Sequence, residues 1–125
     1  MTRGDFEEAV DYYNQGLALD EDLGSKKRMA AHYSLLGVAA FKQDDFDTAV
    51  DYFNRALALN KKLGRKEGMA LNYAGLGVVA FTRGESLEAR QFLVQARGLF
   101  AEMGVQPKVA QYDQLLADLE PPAEP

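Results

Sequence analysis

The chain has 125 residues, 47% of them hydrophobic, a net charge of −5, one His and neither Cys nor Trp. That length is one domain with apolar content enough for a packed core, while the missing cysteines exclude a disulfide framework and a thiolate metal site and the negative charge argues against general nucleic-acid binding, which needs a basic face. No stretch approaches the roughly 18 apolar residues of a membrane span, and the N-terminus lacks the apolar run of a secretory leader, so no membrane partner and a cytoplasmic location are expected.

Prolines occur only at Pro107 and in 121–125, so nothing interrupts a helix before residue 107. The first predicted helix carries Phe6, Ala9, Val10 and Tyr13 at helical spacing and closes at Gly24. It is acidic, with Asp5, Glu7, Glu8, Asp11, Asp20, Glu21 and Asp22. A second helix at about 26–43 has Met29, Ala30, Tyr33, Leu36, Gly37 and Ala40 in phase. The third follows Asp44 or Asp45, either of which can cap it, carries Phe46, Ala49, Val50, Phe53, Ala56 and Leu57, and ends at Gly64.

The fourth helix, about 66–83, repeats the second with Met69, Ala70, Tyr73, Leu76, Gly77 and Ala80. Gly37 and Gly77 fall mid-helix, where Gly costs about 1 kcal/mol relative to Ala, so a neighbouring helix is expected to pass too close for a side chain there. A fifth helix keeps Ala89, Leu93 and Ala96 ahead of Gly104. The last, about 107–119, starts at Pro107, a favoured first-turn residue. The tail Pro121-Pro122-Ala123-Glu124-Pro125 cannot continue it and reads as disordered.

Residues 4–43 and 44–83 are two copies of one unit: shifted by 40 positions, 21 of 40 residues are identical. Asp5/Asp45, Phe6/Phe46, Leu23-Gly24/Leu63-Gly64, Leu36-Gly37-Val38/Leu76-Gly77-Val78 and Phe41/Phe81 show the match. A faded third copy keeps Gly84-Glu85, Ala89, Ala96, Leu99 and Gly104. Such periodicity signals an all-α solenoid of antiparallel helix pairs, each burying its apolar face against its neighbours. The expected plan is one domain, 1–120: a half-repeat at 4–24, repeats at 26–64 and 66–104, and a capping helix at 107–119. Thr2-Arg3-Gly4-Asp5 aligns with Thr82-Arg83-Gly84-Glu85, so the chain opens on a helix without its hairpin partner. Phe6, Val10 and Tyr13 are then expected to offer unpaired apolar surface, for a longer array or a second copy.

The pattern resembles the tetratricopeptide repeat, in the forty-residue form of kinesin light chains and of scaffolds that organise cell polarity. The motif of an aromatic, Leu-Gly, an aromatic, a turn and spaced alanines reads Tyr33, Leu36-Gly37, Phe41, Asp45-Phe46, Ala49, Phe53, Ala56. In the next unit it reads Tyr73, Leu76-Gly77, Phe81, Gly84-Glu85, Ala89, Leu93, Ala96. Ser86 stands in place of the turn aromatic, which predicts a looser last unit. The resemblance implies a right-handed superhelix that binds a protein or peptide and catalyses nothing.

It also implies a concave surface lined by the second and fourth helices, at Ala31, Ser34, Val38, Phe41, Leu71, Ala74, Val78 and Phe81. These helices are apolar on most of their circumference, so they expect cover: an apolar or amphipathic partner segment, or the last helix (Val109, Tyr112, Leu115, Leu116, Leu119), or a second chain in a homodimer. Members of the family that grip a C-terminal carboxylate use cations and Asn in this groove. The matching Ser34, Leu35, Val38, Ala74, Gly75 and Val78 carry no charge, so no chaperone-tail clamp is expected. Lys26, Lys27, Arg28, Lys61, Lys62, Arg65 and Lys66 fall at equivalent turns and form a basic edge for an acidic peptide or phosphate, or simply solvated helix ends. His32 has no triad or metal set to join and reads as structural. No nucleophile with a base, no phosphate loop and no ligand spacing is present, so no enzyme activity and no cofactor are expected.

Overall fold

The forty-residue period is divided between helices of 17 or 18 residues, because each unit holds two apolar helical faces separated by turn residues. The computed structural model describes residues 3–23 and 25–119. The closing Gly24, the tail at 121–125 and the side chains of Asp20, Glu21 and Asp22 lie outside what is described. Among the described residues there are six helices and no strand: α1 (Arg3–Leu23), α2 (Lys26–Lys42), α3 (Phe46–Leu63), α4 (Lys66–Thr82), α5 (Ser86–Glu102) and α6 (Gln106–Leu119). Among the described residues no helix is long and apolar enough to cross a membrane.

The turns have one construction. After α2, Asp45 N–H donates to the Ala40 carbonyl and Asp44 N–H to that of Phe41; the same pair of bonds recurs at Arg65/Gly64, Glu85/Gly84 and Val105/Gly104. These are Schellman closures, which need one residue in the left-handed region. Gly64, Gly84 and Gly104 supply it, and Asp44 does so at φ 59°, Asp being one of the few side chains that tolerates this region. That division of labour decides between the two candidate caps: Asp45 takes the N-cap of α3 and accepts from the Thr48 amide at 3.4 Å. At α1 the repeat would start the helix near Phe6, yet helical bonding begins at Arg3 and runs through Gly4 and Asp5.

Every helix packs against its neighbours in sequence, and α2 also lies beside α4, while among the described residues the backbones of α1, α3 and α5 do not approach one another. The even-numbered helices therefore form the inner row of a tetratricopeptide-type solenoid, with the odd ones splayed outside it. Alanines mark the closest approaches: Ala30, Ala49, Ala56, Ala70, Ala89 and Ala96 are all essentially inaccessible. Between them sit larger fillers such as Leu36, Leu76, Phe53 and Leu93, each worth about 1.5–3 kcal/mol of burial. The core runs as three linked clusters along the stack, from Met29 and Leu36 through Phe53 and Leu76 to Phe100 and Tyr112. In the last unit, where Ser86 replaces the turn aromatic, α5 buries Ala89, Leu93, Ala96 and Phe100.

The mid-helix glycines have the expected cause. A Cβ on Gly37 would stand 2.8 Å from the Phe53 ring, and one on Gly77 would stand 3.0 Å from Leu93. Both fillers come from the helix that follows, at the same place in the repeat.

Candidate functional site

Where α2 and α4 run side by side, their outward stripes enclose a cleft of about 490 Å³. Ala31, Ser34, Leu35 and Val38 form one wall, and Gly68, Leu71 and Gly75 the other. Leu71 is 53% exposed and Val38 41%. The floor comes from the outer row: Phe53 and Asn60 of α3 reach between the two inner helices. They can do so because glycines clear the way. A Cβ on Gly75 would meet Phe53 at 2.9 Å, and one on Gly68 would meet Asn60 at 2.5 Å.

The eight residues expected on one stripe divide. Ala31, Ser34, Val38 and Leu71 line this cleft. Val78 and Phe81 instead line a second one, about 250 Å³, beside Leu93, Leu115 and Leu119. Ala74 is packed against the Phe100–Tyr112 cluster. Phe41 turns to Phe46, with ring centroids 5.7 Å apart. The last helix does not fill the first cleft. Its Val109 and Tyr112 are buried against α5, and Leu115, Asp118 and Leu119 border the second.

At one end of the first cleft lies a polar relay that the repeat pattern did not announce. Arg65 Nη1 donates to Asn60 Oδ1 at 3.1 Å, and Asn60 Nδ2 donates to Asn72 Oδ1 at 2.7 Å. Asn72 Nδ2 donates to Ser34 Oγ at 2.8 Å, and Ser34 Oγ to the Ala30 carbonyl at 3.1 Å. Asn60 and Asn72 are almost wholly buried, so the relay removes a desolvation cost of about 1–3 kcal/mol for each group. It ties α2, α3 and α4 together with bonds that all donate in one direction. The signal was visible: Asn72 is the one polar residue in the run Met69-Ala70-Leu71-Asn72-Tyr73-Ala74-Gly75, twelve positions after Asn60.

The residues expected to be unpaired on α1 are partly covered. Val10 and Tyr13 pack on Met29 and Leu36, and Phe6 is half-buried beside Gln43 and Asp45. The first inner helix α2 supplies that cover, so the exposed apolar side chain described on α1 is Tyr12, at 69%. The His32 ring lies 6.2 Å from Tyr13 and over Gly16, where a Cβ would meet it at 2.7 Å. It fills space between α1 and α2.

The seven cations sit at the α1–α2 and α3–α4 turns, at the same end of the stack. Several are engaged locally. Arg65 holds Asn60, Lys66 pairs with Glu102 at 3.3 Å, Lys61 Nζ lies 5.7 Å from the Tyr73 ring centroid, and Arg28 also has a partner. Among the described residues no group of three His, Cys, Asp or Glu side chains could hold a metal ion.

Comparison with known proteins agrees with this architecture. A tetratricopeptide repeat family model matches residues 28–102, and a second model of the same repeat matches residues 1–27. No curated protein matches the chain. Such repeats are in general protein–protein interaction modules, and the family is typically non-catalytic. Helix pairing, turn construction and sequence match agree: the chain belongs to the tetratricopeptide repeat family.

Proposed function

We propose that this chain is a non-catalytic interaction module that holds a segment of a partner protein in the cleft between α2 and α4. One observation carries the reading: two abutting inner helices expose Leu35, Val38 and Leu71 to a common cleft, on a rigid wall that no other element covers among the described residues. Apolar side chains on secondary structure, exposed as a set, are the usual mark of a docking groove. The same reading takes 26–64 and 66–104 as the two repeats that form the groove, flanked by the half-repeat at 4–24 and the cap at 107–119.

The test is a double change, Val38→Asp with Leu71→Asp, in binding selections or pull-downs against the natural chain. Both side chains are solvent-facing, so helical content by circular dichroism should survive while binding is lost. Binding that persists at full strength would move the site elsewhere. Light scattering on the same samples tells whether a sister chain takes the cleft instead.

A further inference from the structure

Resting on that reading of the cleft, we infer that its occupant is an amphipathic segment of another protein that carries carboxylates at one end, directed at Arg65. The cleft is lopsided. Leu35, Val38 and Leu71 make its walls dry, whereas its opposite end holds Arg65 and Glu67. Arg65 belongs to a turn, where a side chain would ordinarily swing freely, but its Nη1 is fixed on the buried Asn60. Asn60 in turn is held by Asn72 and Asn72 by Ser34. The relay thus pins a guanidinium that has spent one of its five N–H donors. Those left can take a carboxylate, the partner whose planar geometry a guanidinium matches best.

Part of the surrounding field has the same sign, although the outer helices α1 and α3 end here, the sequence of α1 is acidic at Asp20, Glu21 and Asp22, and Lys66 is paired with Glu102. Both walls start at this end, α2 at Lys26 and α4 at Lys66, so their backbone dipoles add positive potential. Lys26, Lys27 and Lys62 stand at the same turns, and Glu67 is the one carboxylate among the described residues lining the cleft. Apolar walls select the body of the segment, and the pinned cation fixes which way round it lies. Glu67 opposes that attraction, so it limits affinity and can be removed at a gain.

The experiment is a selection from a random-peptide display library on the natural chain. Val38→Asp with Leu71→Asp serves as the counter-selection, followed by affinities of the enriched peptides as free, labelled peptides. The expected result is apolar anchors with Asp or Glu clustered at one end. Arg65→Gln, which keeps a donor for Asn60 and removes the charge, should weaken those peptides about tenfold. Glu67→Gln should tighten them severalfold, and exchanging the peptide carboxylates for amides should cancel both effects. Enriched peptides without acidic residues, or affinities indifferent to Arg65→Gln, overturn the inference and leave the cleft as a purely apolar groove. No enrichment over the counter-selection overturns the cleft reading and this inference together, as does a stable homodimer whose formation Val38→Asp with Leu71→Asp abolishes.

Discussion

The α3–α4 and α5–α6 junctions occupy the same register and are filled with opposite chemistry. Positions 60 and 72 are a buried Asn pair joined at 2.7 Å; forty residues on, Phe100 and Tyr112 stack with centroids 5.5 Å apart. The Asn pair reaches a third helix, because Asn72 also donates to Ser34 on α2. The second junction has Ala74 where Ser34 would be, so no side-chain oxygen stands there to receive such a bond, and the α6 backbone approaches that of α5 but not that of α4. Phe53 and Gly75 of the first junction become Leu93 and Leu115 in the second. In one repeat architecture, then, junctions filled with different residues accompany inner helices whose backbones lie side by side in one case and further apart in the other. Where they are tied, the cleft has a polar end. Where they are not, a smaller gap remains beside Val78 and Phe81, lined also by Asp118.

The hardest blow to this contrast would come at its floor. Phe53 fills the slot between Gly37 and Gly75 from the outer row, so Phe53→Ala should cost about 3–5 kcal/mol in urea unfolding. Leu93→Ala, which empties a slot narrowed by Leu115, should cost less. An equal or reversed order would show that the two junctions are not built differently.

The Asn pair gives the next largest effect. Asn60→Ala leaves Asn72 Oδ1 and the Arg65 donor without their partner, at a loss of about 1–3 kcal/mol. Transplanting the other junction, with Asn60→Phe and Asn72→Tyr together, removes both buried polar groups at once and should recover most of that loss, since replacing both partners is far cheaper than orphaning one. Ser34 keeps its own bond to Ala30. A double variant no more stable than the single one would mean that the relay is more than an interchangeable filler.

The smallest expected effect lies at high pH and touches only the aromatic junction. Burial pushes the Tyr112 hydroxyl above its ordinary range. The folded chain then holds this proton more tightly than the unfolded one. Its contribution to stability is complete below the ordinary tyrosine value of about 10 and disappears as pH climbs through the raised folded value. The thermal midpoint of the natural chain should therefore fall more steeply above that pH than that of Tyr112→Phe. Parallel curves would mean that water reaches the ring hydroxyl as freely in the stack as in the unfolded chain.

Much of this was legible in the sequence because it depends on neighbours along one helix. The spans of α2 and α4 came out within a residue of 26–43 and 66–83, since apolar phase and turn glycines are local signals. Gly37 and Gly77 could be read as close approaches because both copies carry the same costly residue in the same place. Gly75 could not, because it stands opposite Leu35 in the other copy and only the position of Phe53 explains it. Val10 and Tyr13 were expected to offer unpaired surface, and α2 covers them in part, because one inner helix serves the outer helices on both its sides. The division of the concave stripe into two clefts also escaped the pattern: it depends on how far α6 stands from α4.

By itself, the sequence determined that the chain is helical, that its helices come in forty-residue pairs, and which face of each is apolar. Periodicity and turn chemistry act within a helix and its adjoining loop, and they are written in order along the chain. Only the tertiary structure decided that two helices of the inner row touch while the third stands off, and that an outer helix supplies the cleft floor. It also decided that Arg65, Asn60, Asn72 and Ser34 form one line. Those facts depend on the reach of side chains across three helices, and that reach is set by small differences in crossing and spacing that a linear repeat does not record.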